Sequence, residues 1–205
     1  DVPLSCTAFV IGLAAGACTY NSTTTAQIPA APGPVLVASP TGQAFAVKNC
    51  DAFFMQASRV SVAETAERVA RVKELARQHG REISVYTVGI ITCRPTMREA
   101  EDYHHHCVVD EADWSAVDRL LAMRNVTPAT VPPEEFARQR SQFAHGNSGL
   151  PIVGDPDYVA RELIALSEAG LTGIAVSLVN YADELPYLCD EVLSRLARAG
   201  LREPG

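Results

Sequence analysis

Apolar residues recur at two different spacings along this chain, and the C-terminal part shows both. Asp155 and Pro156 form a helix start, because the aspartate side chain accepts hydrogen bonds from the first amides and proline suits the first helical position. Apolar residues then follow at helical spacing until Gly170, and residues 174–179 form a continuous apolar run of strand length. The pattern predicts a loop over residues 149–154, then a helix and a buried strand, which is one step of a parallel sheet.

The same alternation of short apolar runs and amphipathic segments continues through the rest of the chain. The predicted strands are residues 34–38, 51–55, 83–93 and 174–179. The predicted helices are residues 43–49, a long helix that opens with a capping box at Ser61 and Glu64 and ends at Gly80, and three helices of an insertion over residues 96–106, 111–124 and 133–144.

Apolar strands that alternate with helices are typical of a parallel sheet covered by helices. The strands make about four βα units, which is roughly half of a closed (β/α)8 barrel. We therefore expect an α/β fold with a partial TIM-barrel-like parallel sheet, equivalent to the last half of the barrel, and a helical insertion. Such a sheet would expose one face and two edges, so another chain, a second copy or the N-terminal segment should cover them. An open doubly wound sheet is the alternative that periodicity leaves open.

The first 33 residues differ from the rest, since Asp1 is their only charged residue and Ala, Thr and Ser are abundant. We expect residues 1–33 to form an atypical N-terminal arm and linker, and residues 34–205 to form the half-barrel domain. Residues 7–18 are an uncharged run as long as a signal-peptide core, so export is an alternative, although no basic residue precedes the run. A strand or extended arm that packs on the barrel of a cytoplasmic protein is the preferred interpretation.

Composition and charge narrow the possible partners. The chain has 205 residues, of which 47% are hydrophobic and 20% charged, as in soluble globular proteins. A net charge of -7 without a basic cluster argues against nucleic acids and anionic membranes, and no apolar run approaches the length of about 20 residues that spans a bilayer. The six cysteines are scattered without a C-x-x-C pair, which predicts reduced, buried thiols.

Several sequence blocks together resemble the luciferase-like flavin-dependent monooxygenase family. The blocks are residues 38–46, 51–54, 99–101, 113–118, 150–154 and 170–173. Residues 179–187 are similar to the branch that contains alkane, sulfone, chelator and pyrimidine monooxygenases. The resemblance covers residues 34–202, the C-terminal half of the family's TIM barrel.

The resemblance implies a TIM barrel that binds reduced FMN supplied by a separate flavin reductase, and that uses O2 to oxygenate a small organic substrate. In the family, most flavin contacts come from the first half of the barrel. We therefore expect a homo-oligomer, or a second chain that completes the barrel.

The turn after the first predicted half-barrel strand is the best candidate for cofactor binding. At Ser39, Thr41 and Gly42 a strand ends and a helix begins, and the first amides and the dipole of a helix favour an anion. The resemblance implies that Ser39 contacts the FMN phosphate, with Thr41 and Gly42 adding a hydroxyl group and a close backbone approach. An ordinary helix cap is the alternative.

His145 is the candidate catalytic residue. It lies in a glycine-flanked loop that matches the mobile segment over the active-site mouth of the family, where a histidine can donate a proton or contact substrate. A helix C-cap followed by a turn explains the same residues without chemistry. Cys93 ends a strand where barrel active sites are built, although packing is the simpler role.

The run from His104 to Cys107 contains good zinc ligands, but successive helical residues point about 100° apart and cannot face one ion. We expect a solvated helix face and no metal. Asp110, Glu111 and Asp113 precede a helical pattern, which favours helix capping over acid–base catalysis.

The sequence leaves three functions open. The first is an FMN-dependent monooxygenase, or a working fragment of one. The second is a non-catalytic or repurposed half-barrel that binds a ligand or a protein partner without flavin. A deazaflavin-dependent enzyme of the same superfamily is a third and weaker possibility.

Overall fold

The computed structural model of the protein describes residues 40–56, 61–146 and 149–201, and the backbone of two short strands at residues 9–12 and 35–36. The strands are β1 (Phe9–Gly12), β2 (Val35–Leu36), β3 (Ala52–Phe54), β4 (Ser84–Cys93), β5 (Leu150–Gly154) and β6 (Gly173–Ser177). The helices are α1 (Pro40–Asn49), α2 (Val62–Gln78), α3 (Met97–His105), α4 (Trp114–Met123), α5 (Pro133–Ala144), α6 (Pro156–Glu168), α7 (Tyr181–Leu188) and α8 (Ser194–Arg198). Two π-helical turns, His106–Asp110 and Cys189–Leu193, continue α3 and α7.

The strands form one sheet in which β4 is the central strand. The order is β1-β6-β4-β3-β2, and β5 also pairs with β4. Gly89 and Ile90 each pair with both β5 and β6, so these two strands lie on opposite edges of β4. Tyr86 pairs with both β3 and β6, which places β3 and β5 one after the other along the same edge. All pairings are parallel except that of β1 with β6, and the predicted partial barrel-like sheet with its helical insertion is confirmed.

Strand β5 corrects one prediction, because residues 149–154 were expected to form a loop. Leu150–Gly154 instead pairs in parallel with Gly89–Cys93, and its side chains alternate between buried and half-buried. Among the described residues β5 pairs only with β4, so it is an edge strand, where a proline such as Pro151 is tolerated. The sequence predicted a loop here because proline and glycine are typical of loops.

Helix α1 corrects a second boundary. The helix was expected over residues 43–49, but it begins at Pro40, a favoured first helical residue. Thr41 and Gly42 therefore lie in the first turn of the helix rather than in a turn before it. Other helix starts follow their predicted caps: the Ser61–Glu64 capping box opens α2, and the Asp155 carboxylate accepts a hydrogen bond from the Tyr158 amide at 2.8 Å to open α6.

The two faces of β4 have different environments. Val85 and Ile91 are fully buried on the face that packs with Val69 of α2 and Leu163 of α6 in the main core. On the opposite face Tyr86, Val88 and Ile90 are half-buried, whereas Thr92, near the end of the strand, is buried. This second face corresponds to the inner face of a barrel, and it was expected to be open in a half-barrel.

The edge of β6 is covered by β1, which pairs with it in antiparallel register over Phe9–Gly12. Residues 1–8 and 13–34, which include most of the predicted arm and of the 7–18 run, lie outside the described residues. Among the residues that are described, no helix combines the length and the apolarity needed to cross a membrane.

Two buried threonines give a matched test of this packing. The Thr65 side chain is fully buried in α2 and its hydroxyl has no hydrogen-bond partner in the described part of the chain. The buried Thr87 hydroxyl donates to the Met55 carbonyl at 2.8 Å. We predict that Thr65→Val raises the free energy of unfolding by about 1 kcal/mol, and that Thr87→Val lowers it by about 1 kcal/mol. Urea denaturation measures both, and equal shifts of the same sign would contradict the assignment.

Candidate functional site

A cavity of about 300 Å³ opens at the carboxyl ends of β4 and β6. Its base is the half-buried face of β4, where Val88, Ile90 and Thr92 point into it. The other lining residues come from α3 and its π-helical turn, from the end of α5, and from the end of β6: His104, Cys107, Val108, Ala144, His145, Gly146, Ser177, Leu178 and Val179. The lining is mainly apolar with a few polar groups, as in most small-molecule sites, and the carboxyl ends of parallel strands are where such sites are built.

His145, the predicted catalytic residue, lines this cavity. Its Nδ1 lies 2.6 Å from the Ser141 carbonyl oxygen, and because a carbonyl can only accept, Nδ1 is the donor. In the neutral ring this bond places the hydrogen on Nδ1, so that Nε2 is the acceptor nitrogen. The His145 ring is 4.9 Å from that of His104, centroid to centroid. His145 is also the C-cap of α5, so the structural role considered for it is present as well.

Two glycines bring the backbone around His145 close to β4. Gly146 has a φ of 99°, and a Cβ atom there would lie 2.5 Å from Ile90 Cδ1. A Cβ atom on Gly149 would lie 2.5 Å from Ile90 Cγ1. A side chain at either position would force the Ile90 side chain to move, and the positive φ of Gly146 would strain any other residue there. The two glycines therefore allow His145 to lie over the inner face of β4.

An ion pair missed by the sequence analysis stabilises the wall of the cavity. Glu184 of α7 is 7% exposed, and its Oε1 accepts a hydrogen bond from Arg94 Nη2 at 2.7 Å. Its Oε2 accepts hydrogen bonds from the amides of Val179 and Asn180 at 3.1 and 3.3 Å. The carboxylate therefore joins the end of β4 to the loop between β6 and α7. An acidic residue in the first turn of a helix after a strand was the available signal, but sequence alone does not identify Arg94 as its partner.

Arg94 also connects this pair to α3. Its guanidinium lies 3.7 Å from the centroid of the Tyr103 ring, in a cation–π arrangement. Burial, followed by a hydrogen bond with the Cys107 thiol, raises the pKa of Tyr103 to about 12. The phenol is therefore protonated at neutral pH, and it serves as a neutral packing partner for the guanidinium.

Cys93 is excluded as a nucleophile by its surroundings. It is 4% exposed, and burial raises the pKa of its thiol to about 11, with Arg94 opposing the shift. The prediction of buried thiols holds for Cys50 and Cys93 and is wrong for two others, since Cys107 is half-buried and Cys189 is exposed. Cys107 faces the cavity and Cys189 begins a π-helical turn, positions that a lone cysteine in a sequence does not reveal.

The candidate cofactor residues lie in another part of the fold. Ser39 lies outside the described residues. Thr41 is exposed and Gly42 is half-buried in the first turn of α1, at the carboxyl end of β2. Neither residue lines the cavity that contains His145. The structure thus places both groups at the carboxyl end of the parallel strands, but it does not bring them together in one cavity.

The three histidines of residues 104–106 have two different environments. His104 faces His145, whereas His105 Nε2 and His106 Nδ1 lie 3.6 and 3.7 Å from the carboxylate of Asp110. Within residues 40–56, 61–146 and 149–201, no group of three or more His, Cys, Asp or Glu side chains is placed to hold a metal ion.

Asp113 caps α4, which confirms the capping role expected for it. Its carboxylate accepts a hydrogen bond from the Ala116 amide at 2.9 Å, and this bond lowers its pKa. A carboxylate that satisfies helix amides in this way is not an acid–base catalyst.

Comparison with known proteins identifies similar chains. The sequence model of the family described as luciferase-like monooxygenase matches residues 13–173. A search of curated proteins found no match. Among solved structures, DmoA from Hyphomicrobium sulfonivorans superimposes with a TM-score of 0.69 at 17% identity. The long-chain alkane monooxygenase LadA gives 0.64 at 20% identity, and EDTA monooxygenase EmoA from Chelativorans sp. BNC1 gives 0.59 at 20% identity.

These matches cover unequal shares of the two chains. They include 83%, 83% and 80% of this chain, but only 42%, 42% and 43% of DmoA, LadA and EmoA. The chain therefore spans less than half the length of these solved structures.

The buried ion pair predicts a large effect from a small substitution. Glu184→Gln keeps the shape of the side chain but leaves Arg94, which is 22% exposed, without its counter-charge. We expect the free energy of unfolding to fall by about 2 kcal/mol, less than for a fully buried pair because Arg94 retains some contact with water. Asp183→Asn, at the exposed neighbouring position, is the matched control and should change stability by less than about 0.5 kcal/mol. Urea denaturation of the two variants provides the comparison, and equal effects would contradict a dominant role for the pair.

The raised pKa of Cys93 predicts slow alkylation. At pH 8 about one thiol in a thousand is ionised when the pKa is about 11, so Cys93 should react with iodoacetamide far more slowly than the exposed Cys189. Because the folded thiol has a pKa above the ordinary value of 9, its contribution to stability is present below pH 9 and is lost as the pH rises towards 11. Mass spectrometry of the native protein measures the alkylation rates of Cys93 and Cys189. Equal rates at pH 8 would show that Cys93 is accessible and ionised.

Proposed function

Since the chain belongs to the luciferase-like monooxygenase family over residues 13–173, we propose that it is the C-terminal half of an FMN-dependent monooxygenase that oxygenates a small organic substrate. The observation that carries this proposal is the cavity at the carboxyl ends of β4 and β6, with His145 in its lining. The solved structures that share the fold include an alkane monooxygenase and an EDTA monooxygenase, which supports oxygenation as the reaction class.

The first turn of α1 has the donor set that a phosphate group requires. The helix has ten residues and no acidic side chain in its first turn, so no carboxylate competes for the first amides. Thr41 adds an exposed hydroxyl group beside these amides, and Gly42 has no side chain. We assign the FMN phosphate to this turn, with Ser39 beside it as the family resemblance implies. When bound, reduced FMN from a separate reductase would supply the electrons that activate O2.

His145 is assigned to proton transfer at the substrate. The hydrogen bond from Nδ1 to the Ser141 carbonyl fixes the orientation of the ring and leaves proton exchange to Nε2. The apolar lining from Val88, Ile90 and Leu178 would exclude water from this nitrogen and favour a mainly apolar substrate. A volume of about 300 Å³ suits a small molecule.

A half-barrel that binds a ligand without flavin is the second candidate function. The observation that favours it is the separation of the two candidate groups, because Thr41 and Gly42 do not line the cavity that contains His145. In this case the same cavity would bind an apolar ligand, and His145 would orient the ligand without transferring a proton.

Titration with oxidised and reduced FMN separates the two functions. We predict saturable binding at micromolar concentration, measured by fluorescence quenching, with one flavin per chain or per dimer. Thr41→Ala and Ser39→Ala should each weaken binding about tenfold, as expected for loss of a hydrogen bond to a charged group. Ser115→Ala is the matched control, because Ser115 has the same position in the first turn of α4.

The outcome of this titration decides between the candidates. If a folded and homogeneous protein binds neither form of FMN, the monooxygenase proposal is wrong and the flavin-independent half-barrel is supported. If FMN binds but Thr41→Ala and Ser39→Ala have no effect, the phosphate binds elsewhere. In that case only the assignment of the phosphate to the first turn of α1 is wrong.

A further inference from the structure

The two buried threonines of β4 differ in what their hydroxyl groups contact. Thr87 is fully buried, and its hydroxyl donates a hydrogen bond to the Met55 carbonyl at 2.8 Å. Thr92 is 2% exposed, yet within the described part of the chain its hydroxyl has no hydrogen-bond partner. Buried polar groups without a partner are rare in native structures and cost free energy that a valine of nearly the same shape would not cost. The Thr92 hydroxyl therefore points to a partner outside the described residues.

The Thr92 side chain lines the cavity that contains His145. Val88, Ile90 and Thr92 occupy alternate positions of β4, so they share the face that forms the base of this cavity. Among the described residues, only the Thr65 hydroxyl is both sealed from solvent and without a partner, and Thr65 does not line the cavity. The Thr92 hydroxyl is not sealed in this way, so it is accessible from the cavity.

The remainder of the lining restricts the ligand to an uncharged molecule. Among the described residues that line the cavity there is no Asp, Glu, Lys or Arg, and most of the side chains are apolar. An ionised ligand group would therefore lose its water without gaining a fixed counter-charge. A neutral oxygen atom needs only a hydrogen bond, which the Thr92 hydroxyl can donate.

We propose that Thr92 anchors the ligand of this cavity, and that the ligand is a small uncharged organic molecule whose oxygen atom accepts a hydrogen bond from the Thr92 hydroxyl. The rest of the molecule lies against Val88, Ile90 and Leu178. Ketones, alcohols and amides have such an oxygen atom, whereas hydrocarbons lack it. The inference rests on the proposed function in taking this cavity as the substrate site. Its test uses no flavin, so its failure and that of the monooxygenase proposal are distinguishable.

Two probe ligands of nearly the same shape test the role of the hydroxyl. Acetophenone has a carbonyl group where ethylbenzene has a methylene group. We expect Thr92→Val to weaken acetophenone binding about fivefold, as for loss of one neutral hydrogen bond, and not to weaken ethylbenzene binding. Thr92→Ser keeps the hydroxyl and should bind acetophenone more tightly than Thr92→Val does. Chemical-shift titration by NMR measures each dissociation constant.

Thr65→Val is the matched control for this substitution. It also removes a buried hydroxyl without a partner in the described part of the chain, but Thr65 does not line the cavity, so the affinity for acetophenone should not change. Urea denaturation separates a binding role of Thr92 from a structural one. Thr92→Val should not lower stability, whereas a fall comparable with that of Thr87→Val would show that the hydroxyl is bonded within the chain and would overturn the proposal.

Two outcomes of the binding experiment would also overturn the proposal. Equal weakening of both probes by Thr92→Val would show that the substitution had changed only the shape of the cavity. An effect of Ser177→Ala on acetophenone binding, with none of Thr92→Val, would place the ligand oxygen at the other hydroxyl group of the lining.

A measurement on the parent chain covers the case in which a variant does not fold. Nuclear Overhauser contacts from bound acetophenone should reach the methyl group of Thr92. Contacts that reach only Val179, which is 57% exposed, would place the probe outside the base of the cavity and would contradict the proposal. Failure of both probes to bind would overturn the cavity as the site of an uncharged ligand, whatever the flavin titration shows.

Discussion

The pairing of β4 on both of its edges is the constraint on which the rest of the structure depends. One edge carries β3 and then β5, the other carries β6, and each partner has a fixed register. At Gly89 the side chain of Ile174 lies across β4, so that a Cβ atom there would lie 2.5 Å from Ile174 Cδ1. Because side chains alternate along a strand, this register directs Val85 and Ile91 to the helices and Val88 and Ile90 to the cavity. A shift by one residue would exchange the core and the cavity.

The cavity follows from this register through two kinds of contact. Gly146 and Gly149 bring the chain after α5 against Ile90, so that His145 is positioned by the backbone. On the other side, Glu184 binds Arg94 at the end of β4 and two amides after β6. The first contact lies on the cavity face of β4, and the second joins the carboxyl ends of β4 and β6, where a parallel sheet concentrates the loops that carry chemistry. A lining that is mostly apolar strengthens the electrostatic effect of each polar group within it.

The sequence predicted those parts of the fold that depend on local chemistry. The Ser61–Glu64 capping box, the Asp155–Pro156 helix start and the β-branched strand that became β4 each have a cause within a few residues. Strand β5 was missed because its evidence is non-local: Leu150 and Ile152 are buried only through pairing with β4. His145 was chosen as a candidate because of the glycines around it, and the structure places it in the lining of the cavity. Arg94 was missed, because its partners lie at Tyr103 on one side and at Glu184, on a distant segment, on the other.

The main core and the candidate site lie on opposite faces of the sheet. The main core lies between the sheet and the helices α2 and α6, and it does not involve the inner face of β4. Packing on the helix side therefore stabilises the half-barrel, whereas the site lies on the face and at the edges that this packing leaves open.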